Sequence, residues 1–159
     1  MKRDAIAIIG VDRVAYFQQV MPTIAQNHNI ENFDLFVFLD RSLREDADKI
    51  MGQHVDVVGK YLPQATIIKR EENWGCGKNI IDARRHLFDR LGYDKVFIVE
   101  DDMVLSKTYF TFCLNLLRWA RGRYGNIGAV QGWYKCFMNK LDKEKYLDRV
   151  RATFMMNWW

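Results

Sequence analysis

Short runs of apolar residues alternate along the chain with stretches in which apolar residues recur every three or four positions. The first pattern is typical of buried strands and the second of amphipathic helices. Their alternation predicts βαβ units, and therefore an α/β fold whose mainly parallel sheet is flanked by helices. The predicted strands cover residues 5–10, 34–39, 65–69, 95–99 and 126–133.

Apolar stripes at helical spacing predict four helices between and after these strands. The stripes begin at Val14, Leu43, Ile80 and Tyr109 and end at Ile24, Val58, Leu91 and Ala120. Ser42 and Glu45 stand in the register of a capping box, which predicts that the second helix begins beside them. Gly92 follows the third stripe and predicts where that helix ends.

Length and composition bound the class of protein. A chain of 159 residues allows one domain with a substantial core, and 49% hydrophobic with 28% charged residues is typical of a globular protein. The sequence shows no apolar run long enough to span a membrane and no signal peptide. Its cysteines, Cys76, Cys113 and Cys136, indicate free thiols in a reducing compartment. We therefore expect a soluble, cytoplasmic protein.

The last residues of the chain are unusual. Trp158 and Trp159 are large amphipathic side chains that need something to pack against. A natural domain seldom ends on such a pair. We therefore expect the fold to be C-terminally incomplete.

The net charge of +4 is a mild excess, and the basic residues gather between Arg118 and Arg151. A solvated basic face is one interpretation of this cluster. The other is attraction to an anionic surface, which predicts peripheral membrane association or an acidic acceptor. No signature of a nucleic-acid-binding module accompanies the charges, so a nucleic-acid partner is not expected.

Charged residues follow four of the predicted strands at the point where each strand ends. These exits are residues 11–13, 40–41, 70–72 and 100–102. The carboxyl ends of parallel strands share one edge of a sheet, and ligands bind outside that edge. Strand ends that simply meet water would also be charged, but three adjacent acids at one exit favour a functional crevice.

The fourth exit carries those acids, Glu100, Asp101 and Asp102, directly after an apolar run. Neighbouring carboxylates repel one another by about 1 kcal/mol per pair at ~4 Å in water, and by more where water is excluded. Mn²⁺ and Mg²⁺ prefer oxygen ligands, and one or two carboxylates plus substrate phosphates commonly hold them. The acids therefore predict a divalent cation bridging to a diphosphate. In an extended strand Glu100 and Asp102 would point to one face and Asp101 to the other.

Other motifs do not match this sequence. The turn GVDRVA after the first strand lacks the GxGxxG of dinucleotide-binding folds, and ENWGCGKN lacks two defining positions of a P-loop. A phosphate-accepting receiver domain carries its acid pair on an early strand, whereas these acids follow the fourth. No GxSxG or Cys/His nucleophile arrangement stands out.

The segment FIVEDDMVLSKTYF resembles the metal-binding segment of GT-A fold glycosyltransferases, generally called the DxD motif. Its EDD form looks most like the N-acetylglucosaminyltransferase I family. GVDR resembles that family's first-strand exit, FLD its second-strand acid, and ARRHL its histidine-bearing helix before the metal strand. The order and rough spacing agree across residues 5 to about 133.

This resemblance implies roles for the three acids. Asp102 would be the direct ligand of Mn²⁺ or Mg²⁺. Asp101 would approach the ribose of the donor, and Glu100 its sugar hydroxyls. The resemblance also implies a GT-A (Rossmann-like) nucleotide-diphospho-sugar transferase fold. Residues 1–159 would then form one nucleotide-sugar-binding domain, with residues 1–105 as the donor half and residues 106–159 as the start of the acceptor half.

Three further residues match positions that contact the nucleotide in the family. Asp40 would meet the uracil or the ribose, and Arg13 and His86 would contact the uridine or the diphosphate. Each also has a structural interpretation: Arg13 as a surface residue at a helix start, Asp40 as a turn former, and His86 as the partner of Asp82 one helical turn earlier.

The implied activity is metal-dependent, inverting transfer of a sugar, best taken as N-acetylglucosamine, from a UDP-sugar to a hydroxyl of a saccharide or glycoconjugate acceptor. No residue is assigned as the catalytic base, because the family's base lies in a segment that would follow this sequence. The alternatives are a glycosyltransferase with another donor, a sugar nucleotidyltransferase, or a non-catalytic nucleotide-sugar-binding or assembly module. An acidic residue on a following helix would favour the complete enzyme.

Overall fold

The computed structural model describes residues 4–130. The main elements are β1 (Asp4–Gly10), α1 (Val14–Ala25), β2 (Phe33–Leu39), α2 (Ala47–Tyr61), β3 (Thr66–Lys69), α3 (Gly75–Arg85), β4 (Val96–Glu100) and α4 (Tyr109–Tyr124). A 3₁₀ turn at Ile30–Asn32 precedes β2, and a π-helical turn at His86–Arg90 continues α3. The chain divides into two compact units, the first ending at Phe112 and the second beginning at Cys113.

The first unit contains a four-stranded sheet in the order β3-β2-β1-β4, and every neighbouring pair is parallel. β1 and β2 lie in the middle of this order, and continuous apolar sequence suits strands that are covered on both faces. The predicted α/β fold, with a parallel sheet flanked by helices, is therefore confirmed. Its first four strands lie within one residue of where the apolar runs predict them.

One face of the sheet packs against α3. The buried side chains of this cluster alternate along β1 and β2 and recur at helical spacing in α3 and the following turn: Ala5, Ala7, Ile9, Phe36, Phe38, Ile80, Ala83 and Leu87. The alanines of β1 leave room for the helix to approach the sheet closely. Burying such a set stabilises the fold at about 25 cal/mol per Å² of apolar area removed from water.

The other face carries α1 and α2. The buried side of α1 consists of Phe17, Val20, Met21 and Ile24, which all belong to the predicted stripe, whereas its first member, Val14, is only partly buried. A Cβ placed on Gly10 would lie 3.3 Å from the Phe17 ring, so glycine at the end of β1 permits this close approach. Phe17 also meets His54 of α2, with 4.7 Å between the ring centroids.

The beginning of α2 differs from the prediction. The capping box at Ser42 and Glu45 is wrong, because α2 begins at Ala47 and no side chain caps it. Ser42 Oγ instead accepts a hydrogen bond of 3.1 Å from the N–H of Arg44, which closes a turn before the helix. Leu43, predicted as the first member of the apolar stripe, is 84% exposed for the same reason.

Glycines with a positive φ mark both ends of the third helical stretch. Gly75, with φ of 73°, begins α3, and Gly92, with φ of 68°, follows the π-helical turn. Residues other than glycine rarely adopt a backbone conformation with positive φ, so glycine suits both positions. The predicted end of this helix at Gly92 is confirmed.

The second unit is described only as far as residue 130. It holds the remainder of α4, which confirms the predicted fourth helix, and Arg121 Nε donates to the carbonyl of Ile127 at 3.3 Å. Residues 126–130 form no strand, and the rest of the predicted fifth strand, residues 131–133, lies outside the described residues. So do the basic residues from Lys135 onwards and the two terminal tryptophans. No helix within residues 4–130 has both the length and the apolar character needed to cross a membrane.

Candidate functional site: the crevice between β1 and β4

The strand order places the candidate site at a topological switch point. The chain runs outward from β1 to β2 and β3, then returns to place β4 on the other side of β1. In α/β folds, ligands bind outside the carboxyl ends of the strands at such a point. We call the space at the carboxyl ends of β1 and β4 the crevice. Ile9 of β1 pairs with Glu100 of β4, so the residues after both strands lie at the same level.

Arg13 joins the two sides of this crevice. Its Nε donates to Asp101 Oδ2 at 3.3 Å, and its Nη2 donates to Asp101 Oδ1. A third nitrogen, Nη1, donates to Asp102 Oδ2 at 2.8 Å. One guanidinium thus holds both aspartates, with the forked geometry that arginine offers to carboxylates.

The two aspartates differ in their contact with water. The Asp101 side chain is 4% exposed, whereas the side chains of Asp102 and Arg13 are 47% and 44% exposed. Burial raises the pKa of Asp101, and the hydrogen bond and charge of Arg13 oppose that rise. Burial lowers the pKa of Arg13, but the hydrogen bond and charge of Asp101, followed by those of Asp102, raise it overall. We take Asp101 as ionised, because Arg13 donates to both of its oxygens.

Glu100 is the last residue of β4 and is partly buried. Burial raises the pKa of its carboxyl, and the charges of Asp102 and Asp101 add to that rise. The strand ends here and a turn begins at Asp101. The alternation expected for an extended strand is therefore wrong for the second and third acids, because Arg13 contacts both of them.

The chemistry of these acids fits a divalent cation, although they do not form a complete cage. Within residues 4–130, no group of three His, Cys, Asp or Glu side chains is placed to hold a metal ion. Asp102 is half-exposed, and in this part of the chain only its Oδ2 is engaged in a hydrogen bond. One carboxylate with water and substrate phosphates is a usual way for proteins to hold Mg²⁺, and Mn²⁺ accepts the same oxygen ligands.

Asp40, the acid after β2, anchors a loop beside the crevice. Its side chain is 3% exposed, and Oδ1 accepts hydrogen bonds from the backbone N–H groups of Arg41 at 3.0 Å and Trp74 at 2.9 Å. The second of these ties the loop before α3 to the end of β2. Asp40 therefore has a structural role at the position where the resemblance expects a nucleotide contact, and the predicted contact stays a prediction.

Cation–π contacts with Trp74 also hold the loop before α3. The guanidinium of Arg70 lies 4.1 Å from the centre of the Trp74 ring, and the Lys78 ammonium also lies 4.1 Å from it. Arg70 in turn donates to Asn79 at 3.0 Å and to Asp82 at 2.8 Å. The loop is thus fixed to both the sheet edge and the first turns of α3.

His86 packs against side chains of β2. It stands in the π-helical turn after α3, where its ring meets those of Phe36 and Phe38 at 6.3 and 5.8 Å between centroids. Asp82, the alternative partner of His86, pairs with Arg70 and with Arg90 instead. No described contact brings His86 together with Arg13 or the three acids, so its predicted role in binding the nucleotide stays a prediction.

Two further residues at this edge have no counterpart among the predicted site residues. Cys76, in the first turn of α3, carries an exposed thiol. Burial raises the pKa of this thiol, and so do the charges of Glu100, Asp101 and Asp40, while the charge of Arg13 opposes the rise. Its place at the start of a helix that follows a sheet strand is the signal that could have found it.

His54, on α2, lies beneath the edge. It is 1% exposed, its Nδ1–H donates to the carbonyl of Ile50 at 2.9 Å, and burial lowers its pKa. Its Nε2 and Asp12 Oδ1 are buried, and neither has a hydrogen-bond partner within residues 4–130. The sequence carries a signal for His54, since it falls on the buried face of α2 with Ile50 and Val58.

A shallow cleft opens next to Arg13. It has a volume of about 330 Å³ and lies between the start of α1 and the start of α2. Charged and polar side chains line much of it: Asp12, Arg13, Tyr16, Arg44, Asp46 and Gln53. This volume is at the small end of the range for ligand pockets in proteins, so the cleft suits part of a nucleotide sugar rather than the whole molecule.

The four-stranded parallel sheet flanked by helices matches a Rossmann-like glycosyltransferase fold, which confirms the predicted fold class. Among solved structures, S. aureus TarS 1-349 in complex with UDP-GlcNAc aligns with a TM-score of 0.57 and 16% identity over 75% of this chain. The same protein in complex with UDP gives 0.53 and 13% over 75%, and TarS 1-349 alone gives 0.53 and 15% over 81%.

The chain spans 32%, 33% and 38% of those three TarS chains, and 20% of a longer one. At such identities the likeness shows the fold. No protein-family model and no curated protein matches the chain.

Proposed function

We propose that this chain is the donor-binding part of a metal-dependent glycosyltransferase. It would transfer a sugar, N-acetylglucosamine in the first instance, from UDP to a hydroxyl of a saccharide or glycoconjugate acceptor, with inversion. The observation that carries this proposal is the meeting of Arg13 with Asp101 and Asp102 at the switch point of a parallel sheet. The fold of TarS, which has been solved with UDP-GlcNAc and with UDP, supports the same class of donor.

The residues at the crevice would divide the work of binding the donor. Asp102 would hold Mn²⁺ or Mg²⁺, which supplies Lewis-acid stabilisation of the negative charge that grows on the departing diphosphate. Arg13 would present a permanent positive charge beside the diphosphate. Asp101 would fix the direction of Arg13 and approach the ribose, while Glu100 would approach the sugar hydroxyls.

The other side of the nucleotide would lie against the loops after β1 and β2. Asp40 keeps the loop before α3 in place through the N–H of Trp74, so it would shape the uracil or ribose side of the site even without touching the donor. The small cleft beside Arg13 lies at this edge and would receive part of the nucleotide. The basic residues near the C-terminus would serve peripheral membrane association, and a cytoplasmic location remains a prediction.

Calorimetry with and without metal tests the proposal. UDP and UDP-GlcNAc should bind in the presence of Mn²⁺, more tightly than GDP or dTDP, and binding should be lost in EDTA. Asp102→Ala should abolish the metal-dependent part of the affinity without unfolding the protein. Asp89→Ala is the matched control, because Asp89 is an exposed acid on the turn after α3.

Unchanged Mn²⁺-dependent affinity in Asp102→Ala would refute the assignment of the metal site. Transfer of labelled N-acetylglucosamine to a saccharide acceptor is measured separately. Donor binding without any transfer would favour the non-catalytic nucleotide-sugar-binding module.

A further inference from the structure

Arg13 is hydrogen-bonded to Asp101 and to Asp102, the proposed ligand of the metal. All three nitrogens of its guanidinium donate hydrogen bonds: Nε and Nη2 to Asp101, and Nη1 to Asp102. We propose that Arg13 is an exchangeable internal cation: it holds Asp102 before the donor arrives, and it passes to the diphosphate when the metal takes Asp102. This inference rests on the proposed function, because it concerns the same donor and the same metal.

The geometry separates a fixed half of the arrangement from a mobile half. Asp101 is buried and receives two hydrogen bonds from Arg13, so this side anchors the guanidinium. Asp102 receives one hydrogen bond, and its side chain is about half exposed. Breaking the Nη1 bond to Asp102 therefore exposes both partners to water, whereas breaking the bonds to Asp101 would strand a buried carboxylate.

Charge explains why the exchange needs the nucleotide. Glu100, Asp101 and Asp102 carry three negative charges when ionised, and Arg13 cancels one of them. A divalent cation that arrives alone must displace the guanidinium from Asp102 and then lie beside a positive charge that has lost an acceptor. A diphosphate supplies that acceptor and also supplies oxygens to the metal. Metal and nucleotide should therefore bind with positive coupling, and by linkage each strengthens the other by the same factor.

The test measures Mn²⁺ binding directly, by the loss of the free-ion signal in electron paramagnetic resonance, with and without UDP. Wild-type protein should bind Mn²⁺ weakly in the absence of UDP. With UDP present, its affinity for Mn²⁺ should be higher by a factor of about ten or more. Arg13→Lys keeps a positive charge for Asp101 but cannot fork across both aspartates. It should bind Mn²⁺ alone several-fold more tightly than wild type, and the effect of UDP should shrink correspondingly.

Arg118→Lys is the matched control, because Arg118 is an exposed arginine of α4 that donates to Asn115 and not to the three acids. It should behave as wild type, and thermal melting establishes that each variant is folded. If Arg13→Lys leaves both the affinity for Mn²⁺ alone and the UDP effect within twofold of wild type, the exchange is refuted. If that variant does not fold, a UDP effect below twofold in the wild type refutes it equally.

The outcomes separate this inference from the proposed function. Joint binding of Mn²⁺ and UDP with unchanged coupling in Arg13→Lys would leave the donor site intact and overturn the exchange. Failure of wild-type protein to bind Mn²⁺ or UDP under any condition would overturn both.

Discussion

Removing either partner of the Arg13–Asp101 pair should have unequal effects on stability. Arg13→Ala leaves the Asp101 carboxylate, 4% exposed, without its counter-ion, whereas Asp101→Asn leaves a guanidinium that is 44% exposed. Removing one partner of an ion pair so that the other charge stays buried and unpaired lowers the free energy of unfolding by about 3–5 kcal/mol. We expect about 3 kcal/mol for Arg13→Ala, since the crevice is partly open to water. Asp101→Asn should cost about 1 kcal/mol or less, because Arg13 can still reach water and Asp102.

The pH dependence gives the same prediction a second, independent signature. In Arg13→Ala the folded chain should hold the pKa of Asp101 still higher, because the charge that opposed the effect of burial is gone. A carboxyl with a raised folded pKa contributes stability at low pH and loses it as the pH rises through that pKa. A loss of 3 kcal/mol at pH 7.5 corresponds to about 2 pKa units, so the deficit relative to wild type should shrink markedly by pH 5.

Urea unfolding, followed by tryptophan fluorescence at pH 7.5 and pH 5, measures both quantities. The double variant Arg13→Ala with Asp101→Asn should recover about half or more of the loss, because no charge is then stranded. Equal losses in the two single variants would refute the reasoning. So would a deficit for Arg13→Ala that does not change between the two pH values.

Two further predictions concern residues that the sequence pattern did not assign to the site. Burial lowers the pKa of His54 from its ordinary value of 6.5, so the unfolded chain takes up this proton at a higher pH than the folded chain does. The folded state should therefore lose stability as the pH falls below about 6.5, by up to ~1.4 kcal/mol per pH unit. In His54→Leu this loss of stability should disappear, while the opposite pH dependence that comes from the raised pKa values of Glu100 and Asp101 remains. The same dependence of unfolding free energy on pH in wild type and His54→Leu would contradict the prediction. Because burial and neighbouring acids raise the pKa of Cys76, its alkylation by iodoacetamide should be slow at pH 7 and should accelerate in alkali. UDP with Mn²⁺ should slow the reaction at least several-fold by peptide mapping, and an unchanged rate would place Cys76 outside the donor site.

Apolar runs predicted the first four strands to within one residue, because the central strands of a parallel sheet are buried on both faces and tolerate few polar residues. Residues 126–130 of the predicted fifth strand form no strand. Helix starts were less predictable. Ser42 and Glu45 match a capping box letter for letter, yet Ser42 bonds to the N–H of Arg44 and forms a local turn instead. The same hydroxyl can serve either structure, and short sequence motifs do not distinguish them.

The edge of the sheet that carries the site was predictable, whereas its contacts were not. The rule that ligands bind outside the carboxyl ends of parallel strands predicts that Arg13, Asp40 and the three acids at the end of β4 lie at one edge of the sheet. That Arg13 holds Asp101 and Asp102 depends on β1 and β4 being neighbours. This adjacency follows from strand order, which local periodicity does not encode. The position of His54 on the apolar stripe of α2 indicates that it is buried, but the stripe does not indicate which residues of other elements it meets.

The neighbouring positions of β1 and β4 also set the order in which the chain can acquire this site during its synthesis. Arg13 and Asp101 are 88 positions apart in the sequence. At roughly 5–20 residues per second, a ribosome needs about 4–18 s to travel that distance. A nascent chain that already contains β1, β2 and β3 has Arg13 without either aspartate and so cannot yet form the crevice. Nucleotide binding would therefore report that the last strand of the described sheet has been made and paired.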